Sequence, residues 1–356
     1  MLNELKAPKT NIVNSNIQNS NIISAESSSI VSTATRNKGK RKSDTYENEN
    51  VVSVTRNKKT YSFIKPTTPG IKYNINSPVL ANSEKTMQQI AFSCLKKVSV
   101  ARQFLLNALQ QPLEKLLFWL GSNGFHNTCP AEELKAILFV RLALIDYYAN
   151  CIKPVTMTMN NERVPFVEDV VPLLKYFSAA YSTIASQWCE KCLETSKYVS
   201  LYHTDITDRK RLADGVGYIA AEQSEALLVE SSGENDEAHS SEGTLKLLEC
   251  SIRALKLEME KVNDASLETF KKRRFLTCLY AGDKLALMST SLMDVDRWGF
   301  ITVREAIVPR TWAERYAWGK AFELIFCLRD LLEEQRRVSE LLLKEENGET
   351  IFNKMK

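Results

Sequence analysis

Histidine is scarce in this chain: three residues among 356, at positions 126, 203 and 239, with no spacing that a metal site would use. The C-x-x-C pair occurs once, as Cys189-Glu-Lys-Cys192, and has no second pair to complete a zinc site. There is no Walker loop, no H-E-x-x-H, no G-x-S-x-G and no protein-kinase set. Those absences argue against an enzyme and against a resident cofactor. No apolar run approaches the roughly 18 residues of a membrane span, and Met1 to Thr10 lacks the apolar core of a secretory signal, so no membrane partner is expected. No internal repeat of roughly 33 to 47 residues names a solenoid family.

What the chain does have is core material and an uneven charge. Hydrophobic residues are 44% of the sequence, enough for an ordinary apolar interior. The eight cysteines are scattered through apolar stretches rather than gathered in a small loop-rich frame, which points to free thiols in a reducing compartment. The net charge of +4 divides sharply after Leu80: residues 1–80 hold 12 Lys or Arg against 5 acids, while the remainder holds 35 against 38. The body is therefore mixed and slightly acidic, unlike a surface built to neutralise phosphates.

Residues 1–80 are rich in Asn, Ser, Thr and Lys with little apolar periodicity, and they read as a disordered basic tail. Two basic clusters lie in it, Lys38, Lys40, Arg41 and Lys42, then Arg56, Lys58 and Lys59. In a flexible segment they suit an import receptor, giving a nuclear or nucleocytoplasmic protein, or a nucleic-acid contact.

Beyond the tail, apolar residues recur with a period near 3.6, and the fold class expected is all-α: a multi-helix bundle or irregular helical-repeat body. A helical half spans 81–230, with helices over 84–111, 113–120 and 130–152, one after Pro172 that includes Ile184 and Trp188, and one over 208–230. An acidic flexible loop is expected at 231–243. A second helical half covers 244–348, followed by a short tail at 349–356. Within that half, Leu245, Leu248, Ile252, Leu255, Met259 and Val262 keep the 3,4 spacing of a helix pair or coiled coil. A further helix is expected over 267–292. Thr311-Trp-Ala-Glu314 has the letters of a capping box opening a last helix that runs to about Asn347, long enough to serve in part as an interaction surface.

Four motifs bear on chemistry. Asp294-Val-Asp296-Arg-Trp298-Gly299-Phe300-Ile301-Thr302-Val-Arg-Glu305 resembles an EF-hand calcium loop, which implies Asp294, Asp296, Phe300, Thr302 and Glu305 as ligands. Trp298 stands where an oxygen ligand belongs, and Pro309 would cut the exiting helix, so a metal-free helix–loop connection is the expectation. Cys189 and Cys192 are expected to be buried helix thiols. Gly215-Val-Gly217-Tyr-Ile-Ala220 shares letters with a dinucleotide loop but follows a charged stretch rather than a buried strand, and is set aside. Lys271-Lys-Arg-Arg274 reads as a solvated helix face that could touch phosphate or an acidic partner. The function expected is a non-catalytic helical scaffold or adaptor that binds other proteins in the nucleus; the alternatives are a nucleic-acid-binding, nucleoprotein-like chain using its basic N-terminal arm, and a calcium-responsive adaptor acting through the loop at 294–305.

Overall fold

A computed structural model describes residues 51–56, 59–64, 93–124, 129–154, 163–193, 212–222, 224–232, 237–294 and 297–349. An N-terminal hairpin pairs β1 (Val51–Arg56) with β2 (Lys59–Ile64). Helices α1 (Ser93–Lys96), α2 (Ser99–Leu109), α3 (Leu113–Ser122) and α4 (Ala131–Ile152) follow. A π-helical turn, Phe166–Val170, leads into α5 (Val171–Tyr181). Three strands come next, β3 (Ile184–Cys192), β4 (Leu212–Ile219) and β5 (Glu225–Ser232), then α6 (Glu237–Met259) and α7 (Leu267–Phe270). Strands β6 (Arg274–Ala281), β7 (Lys284–Asp294) and β8 (Arg297–Ile307) precede a 3₁₀ turn at Trp312–Ala317 and the long α8 (Trp318–Glu346).

The all-α expectation is overturned by the sheet at the centre of the molecule. Its order is β3-β4-β5-β6-β7-β8, antiparallel throughout except for the parallel β5–β6 pair, across which α6 and α7 make the connection. The β1–β2 hairpin meets the β8 edge through one parallel pair, Ile64 with Ile301. Three strands come from each of the two expected helical halves. The expected loop at 231–243 shrinks, because Ser231 and Ser232 end β5 and α6 already begins at Glu237; residues 233–236 lie outside the described residues.

The helical period misled because the central strands β5 and β6 are covered on both faces. Such strands read as continuous apolar runs instead of alternating apolar and polar residues. In β6, Leu276, Cys278 and Tyr280 join the core shared with α2, α3, α4, α5 and the first half of α8, while Phe275 and Leu279 join a second core under α6. Neither face offers the polar residues that would have marked a strand. Glycine gave a second signal. Gly282 and Asp283 form the two-residue turn between β6 and β7, and Gly282 has φ +63°, the left-handed region that such hairpin turns require and that glycine adopts without steric cost. In β4, a Cβ on Gly215 would fall 2.5 Å from the Trp188 ring and one on Gly217 would fall 2.5 Å from Ile184. Those glycines let β3 side chains lie flat on β4 and do not weaken a helix.

The stripe from Leu245 to Val262 is helical as far as Met259, but its neighbour is a sheet. Leu245, Leu248 and Leu255 are buried in the second core together with Leu228, Phe275, Leu279 and Met288, so no coiled coil forms along α6. Val338 and Leu342 of α8 close the end of the same core. At the opposite end, the capping box is present: the Glu314 carboxylate accepts from the amides of Thr311 at 3.1 Å and Arg310 at 3.0 Å. Trp318 is buried against Tyr147 and Phe322, whereas Tyr316 is exposed. The first half of α8 is buried on nearly every side, from Ala321 to Leu328, so that half belongs to the core.

Leu255 is fully buried, so Leu255→Asp removes its apolar burial and places an unpaired carboxylate in the second core. We expect a loss of about 3 kcal/mol or more, read as a lowered urea midpoint or a failure to fold. An unchanged midpoint would show that α6 does not carry this core.

Candidate functional site

Lys38, Lys40, Arg41, Lys42 and Lys58 lie outside the described residues, as does Asp296; Arg56 ends β1 and Lys59 begins β2, paired across the hairpin. The EF-hand reading meets a β-hairpin. Asp294 ends β7, and residues from Arg297 onward run straight as β8, with Phe300 paired to Thr290 and Thr302 to Met288. An extended strand cannot wrap its carbonyls and carboxylates around one ion, and Glu305 makes an ion pair with Lys284 at 3.4 Å. Among the described residues no group of three or more His, Cys, Asp or Glu is placed to hold a metal.

The other motifs are also relocated. Cys189 is exposed on the edge strand β3, not buried in a helix, within a bulge where Cys189 and Glu190 have φ of +70° and +54°. The basic run at 271–274 forms the turn into β6 instead of a helix face. Arg273 donates to Glu258 at 2.6 Å and to the buried Gln335 at 3.1 Å, so it fastens that turn to α6 and α8.

A cleft of about 520 Å³, which no sequence motif marked, opens along α8. Its long wall is α8, where Asp330, Glu333, Glu334 and Arg337 fall on one face at the helical spacing of three, four and seven. Lys97, just after α1, and Glu132 and Lys135, in the first turns of α4, form the facing side, with Tyr181 at the end of α5 and Thr183 before β3. The α8 spacing is visible in the sequence. The remaining members meet it through tertiary packing alone.

Arg329 and Asp330 organise the cleft. The Arg329 guanidinium donates to Asp330 Oδ1 at 2.6 and 3.0 Å and lies over the Tyr181 ring at 5.7 Å and the Phe326 ring at 5.2 Å. Lys97 Nζ donates to the other carboxylate oxygen at 2.7 Å. Burial pushes the Asp330 carboxyl up, but the hydrogen bonds from Lys97 and Arg329 outweigh it and hold the group below its ordinary value. Burial drives the Tyr181 phenol up to about 12, so it stays a neutral donor at physiological pH. Glu132 pairs with Lys135 at 2.8 Å, and Glu333 with Arg336 at 2.8 Å and Arg337 at 3.3 Å; these exposed pairs contribute little to stability and leave their side chains available to a ligand. The cleft thus presents cations and anions in equal number on packed helices. It suits a polar segment that carries both signs of charge and backbone amides.

Two buried carboxylates outside the cleft dominate the acid chemistry of the body. Burial raises Glu230 to about 7, with Lys246 at 2.8 Å pulling the other way. Asp169, in the π-helical turn, is likewise raised to about 7 by burial, opposed by Arg310 at 3.8 Å. Comparison of the chain with protein-family models, with curated proteins and with solved structures finds no match.

Both of these acids hold a proton in the folded state that the unfolded chain has already released between about pH 4.5 and 7. Their contribution to stability is therefore present at low pH and is lost as pH rises through about 7. We expect the urea midpoint to fall from about pH 5 to about pH 8, each group accounting for on the order of 2 kcal/mol, and Glu230→Gln to flatten that slope. A midpoint that rises over this range would contradict the assignment.

Proposed function

We propose that this chain is a non-catalytic adaptor that binds a polar segment of another protein in the cleft between α8 and the α1–α4 side, and that it acts in the nucleus or shuttles to it. The observation that carries the reading is the cleft itself: its volume is about 520 Å³, and both signs of charge line it on helices anchored in the main core. Opposed charges in such a groove select partner and register more than they add affinity. Phe118 on α3, 80% exposed beside the half-exposed Leu117, adds apolar contact surface of the kind that protein partners cover.

The test uses a photo-crosslinking residue in place of Thr183 in the cleft and, as a control, in place of Lys261 after α6. A discrete protein adduct is expected at Thr183 and not at Lys261. Glu334→Lys combined with Arg337→Glu changes only exposed positions of α8 and is expected to cut adduct yield by about tenfold, the equivalent of ~1.4 kcal/mol. Equal adducts at both positions, or a yield indifferent to the reversal, would reject the cleft as the binding site.

Nuclear entry is assigned to the basic clusters of the tail. Clustered Lys and Arg side chains gain charge-assisted hydrogen bonds in the acidic groove of an import receptor. A fluorescent fusion of residues 1–80 is expected to accumulate in nuclei, and replacement of Lys40, Arg41, Lys42, Lys58 and Lys59 by Ala to leave it diffuse. The hairpin favours a second reading for the same charges. Arg56 pairs with Lys59 beside the turn of a two-stranded β-ribbon, a shape that also suits nucleic acid. Heparin retention that collapses steeply with salt and disappears when residues 1–80 are deleted would support that alternative.

A further inference from the structure

The short helix α1 is held to α8 by three successive rungs. At one end the buried Glu323 carboxylate accepts from the amides of Cys94 at 3.1 Å and Leu95 at 2.8 Å. At the other end Lys97 donates to Asp330 at 2.7 Å. Between them stand Cys94 and Cys327, both 6% exposed, and Cys94 is the neighbour that acts most strongly on the Cys327 thiol. Glu323, Cys327 and Asp330 follow one another at the spacing of a single α8 face, so the flanking rungs fix the register that brings the two sulfurs together.

We propose that Cys94 and Cys327 are a reversible oxidation site that closes to a disulfide, covalently tying α1 to α8. A disulfide needs its two backbones close and its Cβ atoms facing, and the clamps at Glu323 and Asp330 hold α1 against the face of α8 that carries Cys327, which meets the first requirement before any bond forms. Burial restricts the oxidant to a small molecule, and a hydroperoxide fits. The hydrogen bond from Cys94, aided by the nearby Arg304 charge, holds the Cys327 thiol below its ordinary value in spite of burial, which marks Cys327 as the attacking sulfur.

In the first step the Cys327 thiolate attacks one peroxide oxygen and the O–O bond breaks. Cys327 becomes a sulfenic acid, and the departing oxygen takes up a proton to leave as water when the oxidant is hydrogen peroxide. In the second step the Cys94 sulfur attacks Cys327 Sγ, the S–O bond breaks, and the departing hydroxide takes the Cys94 proton as water. Two thiols and one peroxide give one disulfide and two waters; the thiols are oxidised and the peroxide is reduced. A dithiol reductant reverses the change by exchange.

The disulfide would sit one turn from Lys97 and Asp330, which line the cleft, so oxidation would stiffen that wall. That consequence rests on the binding role proposed above, whereas formation of the bond does not. The experiment treats the full chain with hydrogen peroxide, alkylates it under denaturing conditions and maps its peptides by mass spectrometry. A cross-linked peptide pair joining Cys94 to Cys327 is expected, lighter by two hydrogens, abolished by dithiothreitol and by Cys94→Ala, and retained in Cys189→Ala. Oxidation is also expected to raise the thermal midpoint by several degrees in the native chain and not in Cys94→Ala. Recovery of both cysteines as alkylated or sulfinic peptides without the cross-link would overturn the proposal. Mapping of the native chain decides the matter even if Cys94→Ala folds poorly.

Discussion

Burial of the first half of α8 sets the terms for everything packed around it. From Ala321 to Leu328 the helix has no outward face, with Phe322 and Phe326 meeting the Phe139 ring of α4 edge-on and the β8 side of the sheet lying across from them. A helix so enclosed should carry no charge, yet Glu323 is 2% exposed. Burial raises its carboxyl, opposed by the amides of α1 and by Arg304 of β8 at 3.9 Å. One carboxylate thereby fastens the helical layer, the long helix and the sheet at a single point, and removing those partners would leave an unsatisfied group in the core.

The helices were legible in the sequence because each has an outer face or an end signal. Helix α4 begins at Ala131, next to the Pro130 expected to open it, and ends before Pro154; Thr311 and Glu314 form the capping box their spacing suggested. The strands were not legible, for a physical reason. Leu227, Leu228 and Val229 are consecutive and all buried, so neither a period of two nor one of 3.6 distinguishes them. Length and punctuation could have decided: Gly282-Asp283 between two apolar runs of strand length is a hairpin signal, and Gly215 with Gly217 argues against a helix more strongly than for a weakened one.

The candidate site was legible in part. Asp330, Glu333, Glu334 and Arg337 are visible as one charged helix face, which by itself looks like an ordinary solvated surface. What turns that surface into a cleft is the approach of Lys97, Lys135 and Tyr181 from segments far away in the chain. The EF-hand letters show the opposite failure. The stretch matched a calcium loop at all but Trp298 among its diagnostic positions, but its residues from Arg297 onward are committed to a ladder with β7 that extends along nearly the whole of β8.

The bulge in β3 bears on how this molecule meets copies of itself. A sheet edge is a template for any extended chain, and an open edge invites aggregation. At the β3 end, the left-handed residues Cys189 and Glu190 break the register between Trp188 and Lys191, so a strand laid along that edge would lose alignment midway. At the other end, the hairpin pairs with β8 through the single rung of Ile64 with Ile301. The two ends of the sheet are therefore unequal. Growth by strand addition is obstructed at β3, and at β8 an incoming strand would compete with a segment of the protein's own chain.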